Sequence, residues 1–117
     1  MAGRVAIKMA DETADKDAMF AIGQIVCHRL FGYRGVIFDV DPVFAASEEW
    51  YAAMAKSRPP KDKPWYHVLV DGRTHTTYVA ERNLEADPSS GPIRHPLLDS
   101  CFTGLHDGSY VPRSRMN

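Results

Sequence analysis

Between Lys63 and Leu84 the chain reads KPWYHVLVDGRTHTTYVAERNL, and this stretch constrains the fold more than any other. Tyr66, Val68 and Val70 alternate with Trp65, His67 and Leu69, so a strand built here carries apolar side chains on both faces. Such a strand belongs in the interior of a sheet, covered on both sides. Asp71-Gly72 follows, a dipeptide suited to the positive φ of a tight hairpin turn, and Thr74, Thr76 and Tyr78 continue as the return strand. VAERNL predicts a short 3₁₀ turn with Leu84 tucked inward.

The preceding segment, MFAIGQIVCHRLFGYRGVIFDVDP, supplies a second pair of strands. Alternation places Val26, His28 and Leu30 on one face and Ile25, Cys27, Arg29 and Phe31 on the other. After Gly32 and Gly35, Val36, Phe38 and Val40 share a face while Ile37, Asp39 and Asp41 point away, and Pro42 ends the strand. Val26, Val36, Phe38, Val68 and Val70 are the expected core. In SEEWYAAMAKSRPP, Ser47 is placed to cap a short helix over 47–56, with Glu48 and Glu49 in its first turn and Lys56 near its end. DPSSGP reads as a linker. Leu97, Leu98, Cys101, Phe102 and Leu105 recur at helical spacing, which predicts a C-terminal helix or tail packed on the sheet or on another subunit. Residues 1–18 are polar without a sustained period and predict a mobile arm, leaving 19–117 as a single domain. The fold class is all-β: a small SH3-like antiparallel barrel, with an OB-like barrel as the alternative.

A chain of 117 residues with 44% hydrophobic and 25% charged residues has room for one modest core. Its net charge of −1 excludes a global field that would drive it onto nucleic acid or anionic lipid, so such binding needs a local patch. No apolar run approaches the roughly 18–20 residues of a membrane span. The N-terminal residues turn acidic where a secretory h-region would be apolar, which points to a cytoplasmic protein. Cys27 and Cys101 form no CxxC pair and are expected to be reduced and structural.

No motif specifies an enzyme: there is no G-x-S-x-G, P-loop, H-E-x-x-H or G-x-G-x-x-G. Cys27 and His28 are adjacent on a strand and point to opposite faces, so they make no nucleophile–base pair. His28, His67, His75, His95 and His106 lack tight ligand spacing, and neither a metal nor a cofactor is expected. Asp39 and Asp41 could form a carboxylate pair, but capping the turn at Pro42 is the plainer role. Aromatic and basic residues are better pointers, since small barrels bind nucleic acid by stacking bases on aromatics while Lys and Arg follow phosphates. Tyr33, Arg34, Trp65, Arg73 and the basic segment with Lys56, Arg58, Lys61 and Lys63 are the candidates for that role. Against it, Trp65 and Tyr66 suit a core and loop lysines are commonly just solvated. Trp50, Tyr51 and Met54 on the helix, with Tyr110 and Arg113 in the tail, are candidates for holding a protein partner.

Taken together, FAIGQIVCHRLFGYRGVIFDVDP, PWYHVLVDG, YVAERNL and the terminal YVPRSRMN resemble the HspQ, or YccV-like, family of hemimethylated-DNA-binding heat-shock proteins, over roughly residues 20–117. The resemblance implies an SH3-like β-barrel in the bacterial cytoplasm, induced by stress, self-associating and without enzymatic activity. It also implies two functions. One is binding hemimethylated DNA, with an effect on the replication initiator DnaA. The other is work with ATP-dependent proteases, chiefly Lon, as a specificity-enhancing factor or adaptor. The near-neutral charge fits the protease role better than strong DNA binding.

Overall fold

The computed structural model describes residues 18–89 and 91–113. The arm expected over 1–18 lies outside the described residues except for Ala18, as do the last four residues of the YVPRSRMN tail. In chain order the elements are β1 (Ile25–His28), β2 (Arg34–Asp41), α1 (Glu48–Met54), β3 (Trp65–Val70) and β4 (Thr76–Ala80). A 3₁₀ turn (Glu81–Asn83) leads into β5 (Leu84–Ala86), and α2 (Leu98–Cys101), β6 (Phe102–His106) and β7 (Ser109–Pro112) complete the chain. The first five strands form one antiparallel sheet in the order β4-β3-β2-β1-β5, and β6-β7 form a second, two-stranded one. Among the described residues no ladder joins β4 to β5, so the larger sheet is open and is not a closed barrel.

The β3–β4 hairpin forms where the alternation places it, pairing Trp65 with Ala80 and Leu69 with Thr76. Gly72 takes φ 77°, which a side chain would resist. Thr74 falls in the turn, since Val70 accepts the N–H of Arg73 and its own N–H reaches His75. The turn is fastened from outside by Asp71, whose carboxylate meets Arg34 at 3.0 Å and the Arg94 N–H at 2.8 Å.

β3 is indeed covered on both faces. On one, Tyr66 and Val68 pack with Val26, Ile37, Val79, Leu84 and Phe20. On the other, Leu69 packs with Ile25 and Val36 beneath Ile93, Phe102 and Tyr110. A third cluster joins Trp65 and Ala80 to Ala55, with Phe44, Trp50, Tyr51 and Tyr78 around them. Val26, Val36, Val68 and Val70 are buried as expected, but Phe38 is only half-buried. The reason is a bulge in β2: Ile37 pairs with Val68, and the next pair is Asp39 with His67. The extra residue, Phe38, shifts the alternation. Ile37 does point away from Val36 and Phe38 but into a second core, where it is fully buried, and past the bulge Val40 joins it rather than following Phe38.

Ser47 caps α1 as predicted, its hydroxyl accepting the Trp50 N–H at 3.0 Å. The helix ends at Met54, so Lys56 lies past it. The expected C-terminal helix is a single turn, Leu98–Cys101, followed by the β6–β7 hairpin. Asp107 and Gly108 take φ 51° and 83°, the two positive values of a tight hairpin turn. That hairpin covers the sheet, with Leu98 and Cys101 of the helical turn packed beside it.

Candidate binding groove along the β4 edge

Among the described residues β4 is an edge strand, bonded to β3 alone. The Val70–His75 and Glu81–Pro64 bonds fix the phase of the ladder, so alternation turns the backbone polar groups of Thr76 and Tyr78 outward. Along this free edge runs a cleft of about 900 Å³. Thr77 and Val79 face one wall, and Tyr78 and Ala80 face the other.

The first wall is the β1–β2 loop, held in shape by His28. Its Nδ1 accepts the N–H groups of both Leu30 and Phe31 at 3.1 Å, and its ring stacks on Phe31 at 4.6 Å between centroids. Tyr33, 5.1 Å from the same imidazole, is tied to β4 by a 2.8 Å bond to the Thr77 hydroxyl. The side chains of Leu30 and Phe31 stay 61% and 76% exposed although their backbone N–H groups, and the Phe31 ring, are held by His28. Two donors on Nδ1 require that nitrogen to be unprotonated, and burial lowers the His28 pKa from its ordinary value of 6.5. Because the unfolded chain then takes up the proton first, the stability that neutral His28 contributes is complete above pH 6.5 and lost as pH falls through it. Urea midpoints are expected to fall between pH 7 and pH 5. His28→Asn, which keeps an acceptor but does not titrate, should show a shallower fall, and equal slopes would refute the assignment.

The second wall is α1 and the turn after it, where Trp50, Met54, Ala55 and Lys56 line the cleft. It rests on the aromatic cluster: Phe44 lies 4.8 Å from Trp65, and Trp50 lies 5.5 Å from Tyr78. Tyr78 donates to Asp41 at 2.7 Å and accepts the Ala45 N–H, and burial followed by the Asp41 carboxylate raises its pKa. Among the described residues the lining holds no Asp or Glu and a single Lys, Lys56.

The sequence candidates are dispersed across the fold. For nucleic acid, Tyr33 and Lys56 line the groove from opposite walls, but Trp65 is 1% exposed and its Nε1 donates to the Pro60 carbonyl, so it has no face free for a base. Arg34 is held by Asp71 and Asp87 at 3.0 Å each and donates to the Gly91 carbonyl. Lys61 is paired with Glu48 and lies 4.3 Å above the Tyr51 ring, while Arg58 covers the same ring at 5.8 Å. Lys63 and Arg73 are exposed at opposite ends of the β3–β4 hairpin. Of the partner-binding candidates, Trp50 and Tyr51 pack back on the sheet, Tyr51 donating to the Pro59 carbonyl at 2.7 Å, and Met54 is 62% exposed in the groove. Tyr110 is buried, its hydroxyl accepting the Ile93 N–H, and Arg113 donates to the Asp99 carbonyl. Sequence reasoning missed His28, Leu30, Phe31 and Thr77 as groove residues. The available signal was an apolar Leu-Phe pair in a glycine-punctuated loop, read instead as strand alternation.

Other groupings carry less chemistry. Cys27 and Cys101 are free thiols, and burial raises the pKa of both, the reverse of activation. Among the described residues one set, Asp39, Asp41 and His67, brings three ligand atoms within 4.8 Å. Asp41 is already engaged by His67 at 3.0 Å and by Tyr78, and Asp39 accepts the Val40 N–H. Among the described residues no helix is long and apolar enough to cross a membrane.

With this geometry in place, comparison with protein families is decisive: the family described as hemimethylated DNA-binding protein YccV-like matches residues 18–109. The chain belongs to the YccV-like family. The matched span contains both walls of the groove and all of β4, so the groove belongs to the YccV-like domain itself.

Proposed function

We propose that this YccV-like protein is a non-enzymatic binding module of the HspQ type, which holds polypeptide in the β4 groove and so alters what the ATP-dependent protease Lon degrades. The supporting observation is the lining: exposed Leu30, Phe31 and Met54 beside an open strand edge, with no carboxylate and one lysine among the described residues. Apolar and aromatic anchors of this kind dominate protein contacts. A cytoplasmic stress protein that self-associates belongs to the same reading. The finer reading of the fold is an SH3-like barrel, supported by the order β4-β3-β2-β1-β5 with a 3₁₀ turn between β4 and β5. The test is a degradation assay with purified Lon and candidate substrates. Adding the protein is expected to change turnover of selected substrates, and the Phe31→Ala/Met54→Ala double variant should lose most of that effect while unfolding cooperatively. If no substrate's turnover changes, the reading is wrong.

A second reading, binding hemimethylated DNA with an effect on DnaA, is favoured by the family description. Phosphate contacts would come from Lys56, Lys63 and Arg73, whose side chains make no ion pair among the described residues. Affinity should then fall with salt at a log–log slope of about 0.9 per phosphate contacted. Equal affinity for hemimethylated and unmethylated duplexes would remove this reading.

A further inference from the structure

We infer that the β4 edge takes up a short, uninterrupted apolar run of an unfolded polypeptide as an added strand. This rests on the polypeptide-binding reading above and specifies what the groove recognises. Three features of the groove lead there. Among the described residues the outward N–H and C=O groups of Thr76 and Tyr78 have no partner strand, and an extended chain is the ligand that satisfies such a row. Successive side chains of a strand point to opposite faces. A chain laid on β4 therefore directs one set at Leu30 and Phe31 and the alternate set at Trp50 and Met54. Because both walls are apolar, the preferred segment is apolar at every position along it and not merely at alternate ones. β4 spans Thr76–Ala80, which limits the run to about five residues at the ordinary strand rise of about 3.3 Å each.

Charge completes the description. Among the described residues the lining has no carboxylate and one lysine, Lys56, so acidic flanks suit it and basic flanks gain nothing. Uninterrupted apolar runs are buried in native proteins and become available when those proteins unfold. The groove therefore discriminates unfolded chains from folded ones by composition and backbone accessibility together.

The probe is a fluorescein-labelled peptide with the central run Leu-Val-Phe-Ile-Val flanked by aspartates, read by fluorescence anisotropy against the native protein. Two further peptides carry backbone N-methyl groups on alternate residues, in the two possible phases. Strand addition predicts that one phase binds as the parent does and the other at least tenfold more weakly. Phe31→Ala and Met54→Ala should each weaken the parent peptide several-fold. Thr76→Pro, which removes an outward N–H without touching the β3 ladder, should do the same in the full chain. If both methylated phases bind like the parent, strand addition is overturned while groove binding of polypeptide stands. If the protein alters Lon turnover yet binds none of these peptides, this inference falls and the adaptor reading survives. If neither occurs, both fall. If a concentration-dependent dimer forms and the peptide does not dissociate it, the edge is occupied by a second copy and the inference is overturned.

Discussion

Trp65→Ala is expected to destabilise the protein by about 3–5 kcal/mol, the range for removing a large aromatic from a packed core. The indole is 1% exposed and is the common neighbour of Phe44, Tyr51, Trp50 and Tyr78, at centroid distances of 4.8, 6.3, 6.0 and 5.2 Å. Its loss opens a cavity beneath α1, which has no fully buried residue of its own and depends on this cluster for its position. It also leaves the Pro60 carbonyl without the indole N–H at 3.0 Å. For a domain of this size each kcal/mol lowers the midpoint by roughly 4–8 °C, so the variant should melt at least 10 °C or so below the parent. Near-ultraviolet circular dichroism should lose intensity beyond one tryptophan's share, since the surrounding rings lose their fixed geometry. Trp50→Ala, at the half-buried margin of the same cluster, should destabilise by clearly less. If Trp65→Ala shifts the urea-derived stability by under about 1 kcal/mol, the cluster is not what holds α1 in place.

The hairpin around Asp71-Gly72 was legible because its signal is local: a two-faced apolar run and a turn residue whose φ is unavailable to most side chains. The same local rule should have exposed the second hairpin, where Asp107-Gly108 turns the chain back. It was obscured by the spacing of Leu97, Leu98, Cys101, Phe102 and Leu105, which fits a helix as well as it fits one helical turn followed by a strand. The bulge at Phe38 was not legible, because a bulge is decided by the register of the partner strand rather than by the bulged strand's own residues. Ile37 is buried because both faces of β2 are covered there, and the extra residue turns Val40 to the side of Ile37 and leaves Phe38 at the margin. Of the candidate site, the aromatic insertion could be read from the sequence but its neighbours could not. Nothing local to Arg34 shows that Asp71 and Asp87 will neutralise it, and nothing local to Leu30 and Phe31 shows that His28 will pin them beside β4. Loop side chains acquire a role from what the fold brings across to them, and that information is spread over the whole chain.

Gly23→Ala is expected to be at least as disruptive as Trp65→Ala, for a reason that a core inventory would overlook. Gly23 has φ 94°, and its N–H donates to the Ile37 carbonyl while its own carbonyl accepts the Tyr110 N–H, both at 2.8 Å. It is the point where the C-terminal hairpin is fastened to the sheet, assisted by the neighbouring Gln24–Ser109 bridge. A methyl group there would overlap the Tyr110 carbonyl oxygen, a backbone atom that cannot rotate away. The left-handed φ alone costs an alanine roughly 1–2 kcal/mol. Gly72→Ala isolates that contribution, since Gly72 has φ 77° but, among the described residues, no atom within 4 Å of the added methyl. At Gly23 the overlap must also be relieved, and the body it pushes against is the hairpin carrying Phe102 and Tyr110. Lifting it uncovers Ile25, Val36 and Leu69, and a fully buried aliphatic side chain returned to water forfeits about 1.5–3 kcal/mol. Gly23→Ala should therefore exceed Gly72→Ala by about 2 kcal/mol or more in urea unfolding. Hydrogen exchange reads the mechanism directly. The Ile93 N–H, held by the Tyr110 hydroxyl at 2.8 Å, should lose protection in Gly23→Ala while the amides of β3 that pair with β2 keep theirs. Equal destabilisation by the two substitutions, or an Ile93 amide as protected as in the parent, would show that the hairpin is not fastened at Gly23.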